Sequence, residues 1–186
     1  MRRTTLLVLC TLGLTLSAFA TNYPDTLKVN YFANAHSTGF SDATFYITNT
    51  GLSGGSLCAD IFVYDPNQEI SECGACLITP NGLQTLSVNN NLTSNPLTGK
   101  TLTTGTVAII SAKTTSGSCP LPTTAIAPAA GLRAWATHIQ TGNQITETDS
   151  QDETLSGSEL GALQNGCFAI SLAGSGSGQI SCGTGE

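Results

Sequence analysis

The sequence predicts an all-β protein, a single antiparallel β-sandwich of Ig-like Greek-key type with one short helix and disulfide staples. Three observations predict it. Short runs alternating apolar and polar residues recur along the chain, each bounded by Gly, Asn or Pro. Helical periodicity is confined to one short stretch near the C-terminus. Six cysteines follow an N-terminal segment with the marks of an export signal, the setting in which thiols pair.

Taken in order, Thr26 to Ala33 (TLKVNYFA) reads as the first strand and Ala43 to Thr48 (ATFYIT) as the second, ended by Asn49-Thr50-Gly51. Leu57 to Tyr64 (LCADIFVY) is the most strand-like stretch and stops at the turn Asp65-Pro66-Asn67. Strands are also expected at Glu69 to Ile78, Gln84 to Val88, Val107 to Ala112 and Leu132 to Gln140, with a final hairpin of Phe168 to Leu172 and Gln179 to Ser181. The short helix is expected from Ser158 to Leu163, closed by Asn165-Gly166. Pro120 to Gly131 reads as an extended loop, because each proline biases its predecessor away from the helical region. Ile47 to Gly51 (ITNTG) resembles strand ends of bacterial surface Ig-like modules. Those five residues carry no family assignment, and Trp135 lacks the flanking cysteines of a true immunoglobulin domain.

Residues 1–20 set the expected compartment. Met1-Arg2-Arg3 is a basic start, Leu6 to Leu16 an apolar run, and Ala18-Phe19-Ala20 the small-x-small pattern of a cleavage site. The run is too short to span a bilayer as a mature helix. Leu9 stands where a lipoprotein signal at Cys10 would need a small residue. The expected product is one domain, residues 21–186, secreted or held at the cell surface, with periplasmic transit on the way and no membrane insertion of the mature chain. Without Arg2 and Arg3 it keeps four basic residues (Lys28, Lys100, Lys113, Arg133) against 12 acids, a net charge of −8. Such a balance repels phosphate backbones, so nucleic acid is not an expected partner.

The close cysteine pair in Ser71-Glu72-Cys73-Gly74-Ala75-Cys76 invites a redox or zinc reading. A thioredoxin-type thiolate needs a helix N-terminus, and Pro80-Asn81-Gly82 breaks any helix within a turn. Zinc would need Cys58 and Cys119 as two further ligands without a second close pair. Disulfides are the better account of Cys58, Cys73, Cys76, Cys119, Cys167 and Cys182. A two-residue loop at Gly174-Ser175 would set Cys167 opposite Cys182. A three-residue loop at Pro66-Asn67-Gln68 would set Cys58 opposite Cys76, leaving Cys73 for Cys119. The odd separation of Cys73 and Cys76 puts them on opposite faces of a strand and favours different partners.

Other candidate sites are weighed against plainer readings. Glu147, Asp149, Asp152 and Glu153 are the residues a weakly bound calcium ion would use, and a solvated acidic loop is the plainer account. No other cofactor is expected. Asn91-Leu92-Thr93 is a glycosylation sequon. Gly51-Leu52-Ser53-Gly54-Gly55 matches a nucleophile elbow without its strand–turn–helix setting. His36 and His138 are the two histidines, and no acid, base and nucleophile assemble around them in the sequence. The expected function is thus a non-catalytic structural or adhesive module of the cell surface, meeting other extracellular proteins. Two alternatives follow. One is a homo-oligomeric fibre subunit that donates Thr21 to Ala33 to a neighbour's sheet. The other is a carbohydrate-binding module or secreted hydrolase, against which stands the poverty of aromatics such sites use, Trp135 being the sole tryptophan.

Overall fold

The computed structural model describes residues 21–97, 99–123, 126–172 and 178–182. The expected signal segment and the expected loop at Gly174-Ser175 lie outside the described residues. Strands β1 (Asn22–Phe32), β2 (Thr44–Asn49), β3 (Leu57–Tyr64), β4 (Ile70–Ile78), β5 (Leu83–Ser87), β6 (Gly105–Lys113), β7 (Leu132–Gln140), β8 (Gln144–Asp149) and β9 (Gln151–Ser156) precede the helix α1 (Gly157–Leu172). They form two antiparallel sheets packed as a sandwich, sheet 1 in the order β4-β3-β6-β1-β9 and sheet 2 in the order β5-β2-β7-β8. An immunoglobulin domain pairs its first two strands in one sheet. Here β1 and β2 lie in opposite sheets, so the strand order departs from the Ig-like Greek key expected from the sequence.

Two apolar layers explain the patterning. Phe32, Phe45, Ile47, Ile61, Leu86 and Ile109 meet between the sheets. Leu27, Phe62 and Ile110 point to the other side of sheet 1, where Leu160, Leu163 and Ile170 of α1 cover them. Strand β3 is therefore buried on both faces, which is why its apolar run is nearly continuous rather than alternating.

Three expectations are corrected. The helix does not stop at Asn165-Gly166 but runs to Leu172, replacing the expected hairpin strand Phe168 to Leu172. Its inward stripe of Leu160, Leu163, Cys167 and Ile170 has helical spacing, and that burial outweighs the stop signal. Gly166 is there for space, since a Cβ would lie 2.4 Å from Ile70 Cδ1. Second, the acidic stretch is no loop. It forms β8 and β9, which run on from one sheet to the other through Ser150.

Third, the bridges are Cys58–Cys119, Cys73–Cys167 and Cys76–Cys182, and none of the three expected pairings forms. Because Cys167 is helical, it cannot face Cys182 across a hairpin. Asp65 does pair with Glu69 as the turn predicts, through its N–H to the Glu69 carbonyl at 3.0 Å. A bulge at Ser71 then shifts the register by one, so Cys58 opposes Leu77 and Cys76 opposes Ala59. The opposite-face inference for the close pair holds: Cys73 joins the layer under the helix and Cys76 the layer between the sheets. The segment considered as a donated strand, Thr21 to Ala33, supplies β1, which in this single chain lies between β6 and β9.

The Cys-Gly-Ala-Cys stretch is a docking strip for the chain's C-terminal segment. Cys73 N–H donates to the Gly178 carbonyl at 2.7 Å, and Ile180 N–H to the Cys73 carbonyl at 2.9 Å. A Cβ on Gly74 would lie 2.8 Å from Ile180 Cβ, so this approach needs glycine. Gly74→Ala is expected to cost about 1–3 kcal/mol by overpacking. Chemical denaturation checks the loss, and non-reducing peptide mapping should still return the same three bridges.

Candidate functional site

When a strand leaves one sheet for another, it uncovers its old neighbour and has not yet covered its new one. The switch at Ser150 does this twice, and each side opens into a groove. On the sheet 2 side, Arg133, Ala134 and Trp135 of β7, with Asp149, Ser150 and Asp152, line a groove of about 420 Å³. On the sheet 1 side, Val29, Asn30 and Tyr31 of β1, with Thr106, Thr148, Asp149 and Gln151, line one of about 440 Å³. Asp149 belongs to both.

The switch is held by a compact polar network. Ser150 N–H donates to the Ala134 carbonyl at 2.9 Å. Asn30 Nδ2 reaches the Thr148 carbonyl at 3.2 Å and Ser150 Oγ at 3.3 Å. His138 Nε2 meets Thr148 Oγ1 at 2.6 Å, and its ring stacks on Tyr31 with centroids 4.2 Å apart. Burial pushes the His138 imidazole down, towards its neutral form. The His138 side chain is buried within this network.

The walls of the sheet 2 groove combine an aromatic ring with charges of both signs. Trp135 stacks on Tyr46 of the adjacent strand, with centroids 5.4 Å apart and planes within 12°. On its other side it faces Asp149 across β8. Asp152 takes Lys28 Nζ on one oxygen at 2.7 Å and the Arg133 guanidinium on the other. Lys28 is almost wholly buried, and a bulge at Asp25 turns that residue's carbonyl onto Nζ at 2.9 Å. The guanidinium of Arg133 stays exposed at the groove wall.

The four carboxylates considered for calcium are not brought together. Glu147 and Asp149 oppose Thr137 and Trp135 in sheet 2, whereas Asp152 and Glu153 oppose Lys28 and Leu27 in sheet 1. No group of three acidic, histidine or cysteine side chains suited to hold a metal ion occurs among the described residues. Asn91, the sequon asparagine, sits in one turn of π-helix, Val88–Leu92, where its Oδ1 accepts from Ser87 N–H and its Nδ2 donates to the Ser181 carbonyl. Thr93 is buried and bonded to Val88 and His36. Both atoms the sequon would offer are thus engaged in the fold. Ser53 Oγ donates to the Gly55 carbonyl within a turn, and no helix follows it. Sequence reasoning missed the Lys28–Asp152–Arg133 network. Its one signal is a lysine set between Leu27 and Val29 in the middle of a strand.

Two acids are buried away from the grooves. Burial pushes Asp60 up to about 7 and Glu72 up to about 8, the latter opposed by the Asn95 N–H on its Oε1. Glu72 Oε2 has no hydrogen-bond partner. Folding thus favours the protonated carboxyls. The unfolded chain ionises first as pH rises, so each group lowers stability from about pH 4 until its folded value is passed. Within that window each is worth about 1.4 kcal/mol per pH unit. Melting temperature is expected to fall from pH 5 to pH 8. Glu72→Gln should flatten that slope and stabilise at pH 8 while changing little at pH 4, as thermal melts across this range will read.

Comparison of the chain with protein-family models, with curated proteins and with solved structures returns no match.

Proposed function

We propose that this chain is an exported, non-catalytic binding module of the cell exterior, which presents the outer face of sheet 2 and the adjoining strand switch to a partner. The observation that carries this reading is the asymmetry of the sandwich. The outer face of sheet 1 is covered by α1 and fastened to it by Cys73–Cys167. No helix among the described residues covers the outer face of sheet 2, which bears the Tyr46–Trp135 pair among hydroxyl side chains such as Thr44, Thr85 and Thr137. Large aromatic side chains flanked by polar groups are what recognition surfaces use.

The three intramolecular disulfides suit an oxidising compartment. No helix among the described residues is long and apolar enough to cross a membrane. Solid-phase binding of residues 21–186 to cell surfaces and extracellular matrix tests the reading. Saturable binding is expected, weakened at least about tenfold by Tyr46→Ala with Trp135→Ala. Binding equal to that of a reduced, unfolded control would sink it.

A further inference from the structure

We propose that the sheet 2 groove is a subsite for a neutral hexopyranose unit of a glycan, with Trp135 as its platform. This rests on the binding-module reading and deepens it by naming the ligand class. The groove's size falls in the range of small-ligand sites. Its lining carries Arg133 against Asp149 and Asp152, and the buried Lys28, which pairs with Asp152 from outside the lining, brings the set to neutrality. Lys28 is held by Asp152 and the Asp25 carbonyl, and Asp152 also takes Arg133 Nη1, which leaves the remaining donors of the exposed Arg133 guanidinium and the Asp149 acceptors at the groove.

That arrangement discriminates between ligand chemistries. A phosphate or polyuronate would meet two carboxylates. A cation attracted to the indole face and Asp149 would meet the exposed Arg133 guanidinium. A purely apolar ligand would desolvate Arg133 and Asp149 without pairing them. A pyranose fits each element. Its C–H face lies on the indole, and hydroxyls at its rim donate to the carboxylates and accept from the guanidinium in charge-assisted bonds. Tyr46, stacked behind Trp135, fixes the platform before binding, so little side-chain freedom is lost.

Trp135 is the sole tryptophan, so its fluorescence reports on this groove alone. Residues 21–186 should be titrated with neutral gluco-, manno-, galacto- and chito-oligosaccharides, with a polyuronate and with oligolysine. At least one neutral sugar is expected to change the emission saturably. Calorimetry with that sugar should show Trp135→Ala at least about tenfold weaker and Asp149→Asn severalfold weaker. Phe168→Ala, at an exposed position of α1 away from both grooves, should bind as wild type, and all three variants should keep the native circular dichroism. A response to polyuronate or oligolysine only, or none to any neutral sugar, overturns the assignment, as does undiminished affinity in Trp135→Ala. Adhesion to native and to periodate-oxidised surfaces separates the two levels. Adhesion that survives oxidation removes the glycan and leaves the binding module, whereas no adhesion to either surface removes both.

Discussion

Replacing Cys73 and Cys167 together with alanine is expected to cost about 3 kcal/mol, less than their separation alone suggests. Closing a loop of 94 residues would stabilise by about 4.7 kcal/mol in the chain-entropy account. The Cys76–Cys182 bridge already ties the same two regions, however. With it in place, the ring closed by Cys73–Cys167 runs from Cys73 to Cys76 and from Cys182 back to Cys167, about twenty residues, and its closure is worth about 3.3 kcal/mol. The reverse holds for Cys76–Cys182. Each double-alanine variant should therefore lose about 3 kcal/mol, while removing both bridges should lose about 8 kcal/mol. Chemical denaturation of the two variants and the quadruple variant reads the excess. Strict additivity would mean that the bridges act independently and that the shared-ring account is wrong.

Asp152→Ala is expected to cost about 3–5 kcal/mol, because it strands the Lys28 ammonium inside the sandwich. The same carboxylate has a second partner, Arg133, whose loss should matter little. With its guanidinium well exposed, Arg133→Ala should cost under about 1 kcal/mol. Lys28→Met combined with Asp152→Ala should recover most of the loss by replacing the buried ion with apolar volume. Urea denaturation of the three variants gives the ranking. If Arg133→Ala proved as harmful as Asp152→Ala, the buried charge would not be the source of the effect.

What was legible in the sequence had local causes. Period-2 alternation placed β2 and β7 close to their observed bounds, because a strand with one buried face writes that face into every second residue, while β3 and β4, buried on both faces, were legible from strand-forming residues between turn signals. The sidedness of Cys73 and Cys76 followed from the same rule and needed no tertiary information. The turn at Asp65 to Glu69 was equally readable, since its Asp side chain accepts from Asn67 N–H and Glu69 N–H. The bulge at Ser71 was not. It inserts one residue without a composition signal and moved every downstream partner by one, and with them the disulfide assignment.

The helix and the site show the same division. Ser156 Oγ caps α1 by accepting from Glu159 N–H, a start signal the sequence displays. Its end is set by the sheet beneath it, where Leu163, Cys167 and Ile170 find cover that Asn165-Gly166 would otherwise have forgone. Glu147 to Glu153 looked like a solvated loop because β8 and β9 lie at sheet edges, where few residues on either strand face a core. Trp135 stood out in the sequence as the sole tryptophan, but Tyr46, Arg133, Asp149 and Asp152 come from four strands in two sheets. The sequence by itself determined the β class, the cysteines that must pair and which face of β4 each occupies, since these depend on neighbours one or two residues away. Only the tertiary structure decided the bridge partners, the length of the helix and the groove beside Trp135, because each depends on which distant surface offers burial.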